Sequence, residues 1–539
     1  LKIKNHFAWF NNALDYSKSK YLVVVKYFCQ KIKLSLVILL CVSGVIAGLF
    51  YITPTSFIPE EDQGILFGNI QLSDTDSINK TKEVLQDMAD KVLKVPGVKY
   101  IIGISGTSFV GGSGENIGMG VVGLEDWSKR TTKNLSLQSI MNKIRSFYAN
   151  DVEMSVNFYS LPAIPGVGNS SGLSFQLNAV NQALTAEDLF KAQERLLYEL
   201  NISPIFKFAF APFVASTPHI YLDIDRVKLA SLNVPLSTFF SVLNNNLGST
   251  YVNNIVLLGQ VNKVIIQAED KYRKSFDDIK NIYIKSLDNK FVQVKNFAEL
   301  SFSLSPKIYY RFNQYLSSGI TAESQENVSS GTAIKEVEKI AQKLGNGYSI
   351  SWTGLSLQEV KTRGLIMILI SLAAIFGYLF LVALYESFLI AFSVMFSTIF
   401  AVLGALVGLW VMGLPLSIYA QLGLVLLIGL ASKNAILIVE FALDYRKKGV
   451  EVLEASVEAS GERFRAVLMT AFTFILGVLP MLFVSGAGAA SQISMGTTVF
   501  FGMLLATFIG IIFVPVLFMI FDILALKFSL KNKSVKEVK

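Results

Sequence analysis

The stretch LSIYAQLGLVLLIGLASKNAILIVEFAL, residues 416–443, decides the fold, because it is apolar enough to cross a membrane and carries a lysine near its middle. A membrane helix needs about 20 apolar residues. A charged side chain at that depth is costly, so it normally faces a bundle interior, pairs with an opposite charge and marks an ion or proton path. Lys433 is therefore a candidate functional residue.

The other apolar segments offer Lys433 no carboxylate at membrane depth. Glu440 lies seven residues further on and shares its helical face, but it is about two turns away at the polar end of the run. We therefore expect Lys433 either to be neutral or to pair with an acid on another chain.

Six runs have the length and composition of membrane helices, and they cover residues 34–53, 364–384, 388–412, 416–443, 466–484 and 497–521. Hydrophobic residues make up 52% of the chain and charged residues 16%, which is too apolar for a soluble domain and too polar for a helix bundle alone. Residues 54–363 are water-soluble in pattern. The sequence predicts an α+β membrane protein with one helix at 34–53 and a five-helix block at 364–525.

Basic residues in the short loops and flanks predict the orientation, because Lys and Arg are enriched on the cytoplasmic side. They are Lys2, Lys4, Lys18, Lys20, Lys26, Lys31, Lys33, Arg446, Lys447, Lys448, Arg463, Arg465, Lys527, Lys531, Lys533, Lys536 and Lys539. Six crossings place the segment 1–33, the loop after the fourth run and the tail 526–539 in the cytoplasm, and residues 54–363 outside. The net charge of +8 then comes mostly from the lysines and arginines that orient the chain in the membrane, and it indicates no nucleic-acid role.

Composition also argues against several kinds of site. Cys29 and Cys41 lie before and within the first run, so they predict neither an external disulfide framework nor a metal motif. With only His6 and His219 as imidazoles, we predict no zinc site, no catalytic residues and no cofactor. The segment FAWFNNALDYS, residues 7–17, is typical of an amphipathic interfacial stretch, and no signal peptide is recognisable. We expect the chain to begin midway in a longer protein.

The soluble region alternates strand-like and helix-like segments. Between 54 and 160 the order is β-α-β-β-α-β, typical of a ferredoxin-like unit, with strands at 65–72, 98–106, 118–125 and 153–160 and helices at 77–94 and 135–149. A second unit, at 161–216 and 301–355, is predicted to contain strands at 173–179, 307–312 and 348–354 and helices at 186–201 and 331–344. The insertion at 217–300 has its own helices at 226–232 and 236–247 and a strand at 263–269. We expect this insertion to dock with a partner.

Segments along almost the whole chain resemble, in order, the C-terminal half of resistance-nodulation-division (RND) inner-membrane efflux pumps of the hydrophobe/amphiphile branch. They are SFIPEEDQG from Ser56, GLEDWSKR from Gly123, LPAIPG from Leu161, YLDIDRVKLASLNV from Tyr221, GSTYVNN from Gly248, DKYR from Asp270, SWTG from Ser351, LYES from Leu384, GLASKNAILIVEFA from Gly429, VLMTAFTFILGVLPML from Val467 and FVPVLF from Phe513. The resemblance implies proton-driven export of amphiphilic compounds from the periplasm and outer leaflet. It also implies a location in the inner membrane of a Gram-negative cell and a trimer in which each subunit consists of two such halves. The implied partners are a periplasmic adaptor and an outer-membrane channel.

The resemblance further implies a proton relay, in which an aspartate pair in the missing first half couples to a lysine, an arginine and a threonine. Lys433, Arg463 and Thr470 match those three residues. Arg463 and Thr470 are seven residues apart and share a helical face. Other interpretations remain open: a lysine can snorkel to the headgroups, an arginine can be a positive-inside anchor, and a threonine can bond its own helix or a neighbour.

Two neighbours of the relay are assigned supporting roles. Asn434 follows Lys433, and we expect it to bond between helices. Glu440 is expected to cap the cytoplasmic end of its helix, and a proton-exit role is the alternative.

Substrate residues are also implied by the resemblance, because the family has a flexible glycine-rich loop with a phenylalanine at its tip. That loop corresponds to GTSFVGGSGENIG, which begins at Gly106, has Phe109 at its tip and has Gly111, Gly112 and Gly114 as hinges. An ordinary surface loop has the same composition. Tyr159 and Leu161 fall where the family lines the pocket that receives substrate. The sequence departs from the family at Val121, where an aromatic residue is expected, and at FKFAF from Phe206, which replaces a polar, arginine-bearing stretch.

Three other functions fit parts of the sequence. A protein-export helper has six spans and an outer domain, but it needs no doubled ferredoxin-like array. A serine hydrolase built on Ser432 and Lys433 is disfavoured, because adjacent helical residues point about 100° apart. A non-transporting scaffold is disfavoured by the presence of Lys433, Arg463 and Thr470 together.

Overall fold

The computed structural model describes residues 8–148, 151, 154–164, 166–168, 170–325 and 328–536. Within those residues, six apolar helical segments are long enough to cross a membrane, at Ile32–Ile52, Ile368–Tyr385, Phe388–Val411, Ile418–Lys447, Val452–Leu482 and Ala489–Lys527. The predicted number of spans is therefore confirmed. The fifth segment begins at Val452 rather than at residue 466, because the polar sequence before the apolar run continues the same helix. Predictions that involve Lys2, Lys4, His6, Phe7, Ala149, Glu153, Pro165 and Lys539 fall outside the described residues.

Two helices open the chain, α1 (Ala8–Gln30) and α2 (Ile32–Ile52). In α1, Tyr21, Val25 and Cys29 recur at every fourth position and are all buried, which gives the helix one apolar face. These three side chains belong to the same core cluster as buried residues of the later apolar helices. Residues 8–17 of the predicted interfacial stretch are thus part of a longer helix that packs against the bundle.

The first soluble module follows the predicted β-α-β-β-α-β order. Its elements are β1 (Ile65–Gln71), α3 (Ile78–Val92), β2 (Val98–Ser108), β3 (Gly112–Leu124), α4 (Leu137–Ser146) and β4 (Ser155–Tyr159). The strands are ordered β2-β3-β1-β4, and every neighbouring pair is antiparallel. Alternate strand residues such as Leu66, Ile70 and Phe158 are fully buried in one core with Met88 of α3 and Ile140 of α4.

The chain then forms β5 (Leu173–Ala179), α5 (Ala186–Ile202) and β6 (Phe206–Phe210) before a separate unit. That unit comprises Phe213–Tyr310 together with Thr185–Phe190. Its elements are β7 (Thr217–Ile224), α6 (Arg226–Ser231), α7 (Leu236–Leu247), β8 (Thr250–Leu257), β9 (Gln260–Ile266), α8 (Phe276–Lys280), β10 (Tyr283–Lys285), β11 (Phe291–Gln293) and β12 (Ala298–Ser305). The antiparallel pairs β7–β12 and β10–β11 pack around a small core near Phe239 and Ile284, whereas the antiparallel β8–β9 hairpin is largely exposed.

The second module is completed by β13 (Arg311–Phe312), β14 (Tyr315–Ser324), α9 (Ser330–Gln342), β15 (Tyr348–Trp352) and α10 (Gly354–Thr362). β14 lies between β5 and β6, and β15 pairs with the other edge of β5. The resulting order β6-β14-β5-β15 repeats that of the first sheet, with β14 in the place of β3.

Of the strand predicted at 307–312, only Arg311 and Phe312 are in a strand, the short β13, and the strand that completes the second sheet is β14. Ile308, Tyr309 and Tyr310 are exposed, although their composition is strand-like. β14 buries the polar residues Ser317, Ser318 and Glu323 between its neighbours. A polar strand of this kind has no hydrophobic alternation by which it can be recognised in a sequence.

The apolar block contains α11 (Leu365–Tyr385), α12 (Phe388–Ser397), α13 (Ile399–Val411), α14 (Ile418–Lys447), α15 (Val452–Val478), α16 (Ala489–Leu505), a π-helical turn (Ala506–Gly510) and α17 (Ile511–Lys536). Glycines allow close packing at its centre. A Cβ added to Gly404 of α13 would lie 2.3 Å from the carbonyl oxygen of Phe501 in α16, and one at Gly408 would lie 2.6 Å from the Phe501 side chain. The GxxxG spacing of these two glycines therefore allows α13 and α16 to approach closely.

Pro515 lies inside α17 and has no N–H to donate to the carbonyl oxygen of Ile511, four residues earlier. The hydroxyl group of Tyr21 in α1 donates a hydrogen bond to that oxygen at 3.0 Å. Burial raises the pKa of the Tyr21 hydroxyl, so it remains a donor throughout the physiological range. A side chain from the first helix thus satisfies a backbone group that the proline leaves without its usual partner.

We expect Tyr21→Phe to lower the free energy of unfolding by about 1–3 kcal/mol, because the buried Ile511 carbonyl group loses its donor while the ring volume is retained. The measurement is the midpoint of thermal unfolding of the purified protein in detergent. Tyr16→Phe is the matched control, since Tyr16 is 61% exposed. Equal shifts for the two variants would contradict a structural role for the Tyr21 hydroxyl.

Candidate functional site

Lys433 and Thr470 lie together on the surface of the apolar block. They line an open groove of about 660 Å³ between α14 and α15, together with Met469, Thr473 and Phe474 and with Gly477 and Val478. The Lys433 side chain is exposed, and no carboxylate in the described part of the chain is within ion-pair distance of its ammonium group. We call this feature the Lys433 groove.

The walls of the Lys433 groove are apolar apart from a few polar atoms. The hydroxyl group of Thr470 donates to the carbonyl oxygen of Val467 at 3.1 Å, and that of Thr473 donates to Met469 at 2.8 Å. Because each hydroxyl group is the donor in these bonds, its oxygen lone pairs remain able to accept a hydrogen bond from water or from an incoming group. Thr473 was not predicted, although it lies one turn beyond Thr470 on the same face.

Arg463 is not among the residues that line the groove. Its guanidinium group lies 3.5 Å from the centre of the Phe441 ring of α14, which is cation–π geometry. Its Nε atom is buried without a hydrogen-bond partner. The structure therefore brings Lys433 and Thr470 together but holds Arg463 at a separate position on the same pair of helices.

The two predicted supporting residues have different environments. Asn434 is buried, and its Nδ2 atom has no hydrogen-bond partner. This atom therefore does not form the predicted hydrogen bond to a neighbouring helix. Glu440 is exposed and lies inside α14, which continues to Lys447. The prediction that Glu440 caps the helix is therefore wrong, because the polar sequence beyond it remains helical. Arg446 in the last turn forms a 3.0 Å ion pair with Asp522 of α17.

Most of the segment predicted as a flexible glycine-rich loop, residues 106–118, belongs to a β-hairpin, and Phe109 lies in its turn, at the predicted tip. Gly106 lies in β2 at a register shift with a φ of +92°, and Gly112 and Gly114 lie in β3. A Cβ on Gly111 would lie 2.6 Å from the Oδ1 atom of buried Asn69. Pairing of β2 with β3 and this close packing account for the glycines, so only a short turn around Phe109 remains outside the strands.

The predicted substrate residues come together on one face of the first sheet. Phe67 of β1 is opposite both Tyr159 of β4 and Val121 of β3. The Phe67 ring centroid lies 5.5 Å from that of Phe109 and 6.2 Å from that of Tyr159, and Leu161 packs against the same cluster. Phe109 keeps 52% of its surface exposed. Phe67, which was not predicted as a site residue, is the centre of this aromatic cluster.

Glu61 joins the first module to the apolar block, and the adjacent Asp62 forms bonds within the module. The Glu61 carboxylate accepts hydrogen bonds from the backbone N–H groups of Ala490 and Ser491 at 3.1 and 2.9 Å, and also from the Ser491 hydroxyl group. A carboxylate at the N-terminus of α16 is favoured by the helix dipole. Asp62 forms two hydrogen bonds with Arg130, at 2.9 and 3.1 Å. Asp62 thus connects the segments EEDQ and EDWSKR within the first module, and Glu61 connects EEDQ to α16.

A second connection joins the N-terminal end of α14 to the second module. Leu416 donates its N–H to the carbonyl oxygen of Pro54 at 2.8 Å, and Gly331 of α9 donates to that of Thr55 at 3.3 Å. Ser330 also donates to the carboxylate of Glu359 in α10 at 3.0 Å. Burial raises the pKa of Glu359. The segment after α2 thus contacts both the helix that carries Lys433 and the helices of the second module.

A buried carboxylate joins the two modules directly. Glu323 of β14 pairs with Arg145 of α4 at 2.6 Å and with Lys207 of β6 at 3.5 Å. Lys207 also donates to the Oε1 atom of Gln138 at 2.9 Å, and Arg145 stacks over the ring of Phe208. The FKFAF segment, a departure from the family pattern, is therefore a strand whose lysine takes part in an ion cluster between modules.

Comparisons with known proteins agree with these observations. The family model described as the AcrB/AcrD/AcrF family matches residues 2–522. The multidrug export protein AcrF of Escherichia coli (strain K12) is 34% identical over 520 residues, which cover 95% of this chain and 50% of that protein. The multidrug resistance protein MdtF of Escherichia coli O157:H7 is 34% identical over 527 residues, 97% of this chain and 51% of MdtF.

A third relative is the toluene efflux pump membrane transporter TtgB of Pseudomonas putida, 34% identical over 516 residues, which cover 95% of this chain and 49% of TtgB. The chain spans about half the length of the curated relatives it matches. Together with the six apolar helices, the matches identify a multi-pass membrane protein. This chain belongs to the AcrB/AcrD/AcrF family of resistance-nodulation-division efflux transporters.

Proposed function

We propose that this chain is the C-terminal half of a proton-driven transporter that exports multiple amphiphilic compounds. The single observation that carries the proposal is the Lys433 groove, where an exposed cation and two hydroxyl groups lie on an otherwise apolar surface. An ammonium group at membrane depth needs a partner, and none is within reach in the described part of the chain. The partner is then supplied by a first half that carries carboxylates.

The uncovered helix faces support this assignment. In the apolar stretch of the segment that contains α15, only 17% of the residues are buried, whereas in that of α14 50% of the residues are buried. Gly429 of α14 and Gly477 of α15 have nothing within 4 Å of an added Cβ, so both offer close approach to a further helix. A helix of the first half that occupies the Lys433 groove brings its carboxylates to Lys433.

The proposed relay uses Lys433 and Thr470, which line the groove, and adds Thr473, which also lines it. Arg463 is a further member of the relay that lies outside the groove. Protonation of the partner carboxylates weakens their attraction for Lys433 and lets the two helices separate. Such movement reaches the soluble modules through Leu416 and Pro54 and through Glu61 at the start of α16. Asn434 and Glu440 keep supporting roles, the latter at a proton exit on the exposed face of α14.

The soluble region is proposed to face the periplasm and to act on substrate. Its two modules, 54–160 and 161–216 with 301–355, are assigned as ferredoxin-like porter subdomains, and the repeated strand orders β2-β3-β1-β4 and β6-β14-β5-β15 support this. Substrate meets the aromatic cluster of Phe67, Phe109 and Tyr159, where exposed ring surface accepts varied apolar molecules. The valine at position 121 leaves the cluster with one aromatic ring fewer than the family pattern.

The inserted segment 217–300 is proposed to dock with neighbours in a trimer and with the envelope partners. The β8–β9 hairpin supports this, since Val256, Leu258 and Val261 are 74, 96 and 69% exposed. An isolated two-stranded hairpin is marginally stable in water, so an apolar one of this length favours burial against a partner. We place the chain in the inner membrane of a Gram-negative cell, within a complex that includes an adaptor and an outer-membrane channel.

The experiment is complementation in a Gram-negative strain that lacks its own efflux pumps. The chain is expressed alone, with a matching first half, or not at all, and minimal inhibitory concentrations of several amphiphilic drugs are measured. We expect resistance only when both halves are present. Membrane abundance of each half, measured by immunoblot, separates failure of export from failure of expression.

A non-transporting scaffold is the alternative, and the same experiment distinguishes it. A scaffold would assemble with the first half, as detected by co-purification, without raising resistance to any drug. That outcome, with both halves present at normal abundance, would overturn the transport proposal.

A further inference from the structure

A second groove lies between α1, α15 and α17, away from the Lys433 groove. It has a volume of about 440 Å³, within the usual range for ligand pockets. The groove is lined by Ala13, Ser17 and Tyr21 of α1, by Leu468 and Phe472 of α15, by Phe508 of the π-helical turn and by Ile511 at the start of α17. We call it the α1 groove.

The α1 groove has one cationic end. Lys20 lines it and adjoins Tyr21, whose ring stacks on Phe464 at 4.6 Å. Phe464 is flanked by Arg463 and Arg465, and Arg465 donates to the Oδ1 atom of Asn11 in α1 at 3.2 Å. Residues 8–33 contain five lysines and one aspartate, so this end of the groove lies in a strongly positive segment.

The other end of the α1 groove is aromatic. Phe472 and Phe508 meet edge to face with ring centroids 5.9 Å apart, and they are 42% and 51% exposed. Phe472 lies eight residues along α15 from Phe464, so the two ends are about 12 Å apart along the helix. The charged residues Glu462, Arg463 and Arg465 precede the apolar run of α15, which places the aromatic end deeper in the membrane than the end at Phe464.

The backbone beside the aromatic end is also unusual. Thr507 and Phe508 belong to the π-helical turn Ala506–Gly510, and both line the groove. Such turns are rare and are found mostly at functional sites, because the extra residue displaces side chains from the regular helical stripe. Here the turn lies directly before Ile511, whose carbonyl oxygen is bound by Tyr21 of the opposite wall.

We propose that the α1 groove binds one anionic phospholipid of the cytoplasmic leaflet. Its phosphate group lies against Lys20, and one acyl chain extends along Leu468 to Phe472 and Phe508. Charge complementarity supports this ligand, since a cationic rim and an apolar floor match an anionic headgroup and an acyl chain. Bound lipid then ties α1 to α15 and α17, alongside the Tyr21 hydrogen bond.

The experiment is native mass spectrometry of the purified full chain, titrated with dioleoyl phosphatidylglycerol or with dioleoyl phosphatidylcholine. The two lipids share acyl chains and differ in net charge. We expect tighter binding of the anionic lipid, and we expect Lys20→Gln to weaken it about fivefold, the factor that one lysine near a lipid headgroup contributes. Lys26→Gln is the matched control, because Lys26 is exposed on α1 and does not line the groove. Its binding should equal that of the wild type.

A second variant tests the apolar part independently. Phe508→Ala should weaken binding of both lipids by a similar factor, since it alters the acyl-chain site and not the charge. Equal effects of Lys20→Gln and Lys26→Gln would show nonspecific attraction to the basic segment and would overturn the proposal. Displacement of bound lipid by the co-expressed first half would also overturn it, since the groove would then be a surface between the halves. Neither result affects the complementation experiment, so the two proposals fail separately.

Discussion

Lys433→Ala should reduce drug export to the level of the empty vector when both halves are present. Lys433 is the one cation among the described residues that line the Lys433 groove, so its removal leaves the partner carboxylates without a counter-charge. Insertion and assembly should remain near normal, because the Lys433 side chain is exposed and forms no ion pair within the described residues. The measurement is the minimal inhibitory concentration in the complementation strain, together with membrane abundance.

The matched control for this prediction is Lys447→Ala, in the last turn of the same helix. Lys447 is exposed and has only a weak 3.9 Å contact with Asp444, so export should be unchanged. Thr470→Val, which removes a hydroxyl group at constant volume, should have a smaller effect than Lys433→Ala. Wild-type export by the Lys433→Ala variant would contradict the proposed relay.

Gly404→Val should destabilise the helix bundle more than any other single change considered, by more than about 3 kcal/mol. The added Cβ would lie 2.3 Å from the carbonyl oxygen of Phe501, 2.9 Å from the Cβ of Leu505 and 3.0 Å from the Cα of Gly502. Two of these atoms are backbone, so α13 and α16 must separate. That separation removes packing along the centre of the apolar block.

Fluorescence-detected size exclusion after heating measures this effect on protein from membranes. Gly44→Val is the control, since Gly44 lies in α2 with nothing within 4 Å of an added Cβ. The control variant should retain the wild-type midpoint while Gly404→Val loses its monodisperse peak. Similar behaviour of the two variants would mean that helix propensity, and not the contact with α16, determines the outcome.

Periodic hydrophobicity made most of the architecture predictable. Continuous apolar runs identified six membrane segments, and regular alternation identified the strands and helices of the first module with small errors at their ends. Patterns of this kind reflect whether a residue faces water or the core, and each segment carries its own pattern. The polar strand β14 and the hairpin around Phe109 escaped prediction because their burial depends on neighbouring strands.

Two residues of the Lys433 groove, Lys433 and Thr470, were predictable from the sequence, but the arrangement of the groove was not. Lys433 stands out by its charge within an apolar run, and family resemblance supplied Arg463 and Thr470. The sequence does not indicate that Thr473 lines the groove, that Arg463 stacks on Phe441, or that Phe67 connects Phe109 with Tyr159. These contacts join separate elements, and their distances depend on how those elements pack.

The amino-acid sequence by itself determined which segments enter the membrane, which form the soluble modules and which charge is out of place, because each of these depends on local composition. Tertiary structure alone decided which distant groups meet. Tyr21 bonds the Ile511 carbonyl group 490 residues away, and Glu61 binds the start of α16. Such pairings arise because buried polar groups need hydrogen-bond partners, and the packing of the helices determines which donors are near. A local sequence pattern therefore does not predict them.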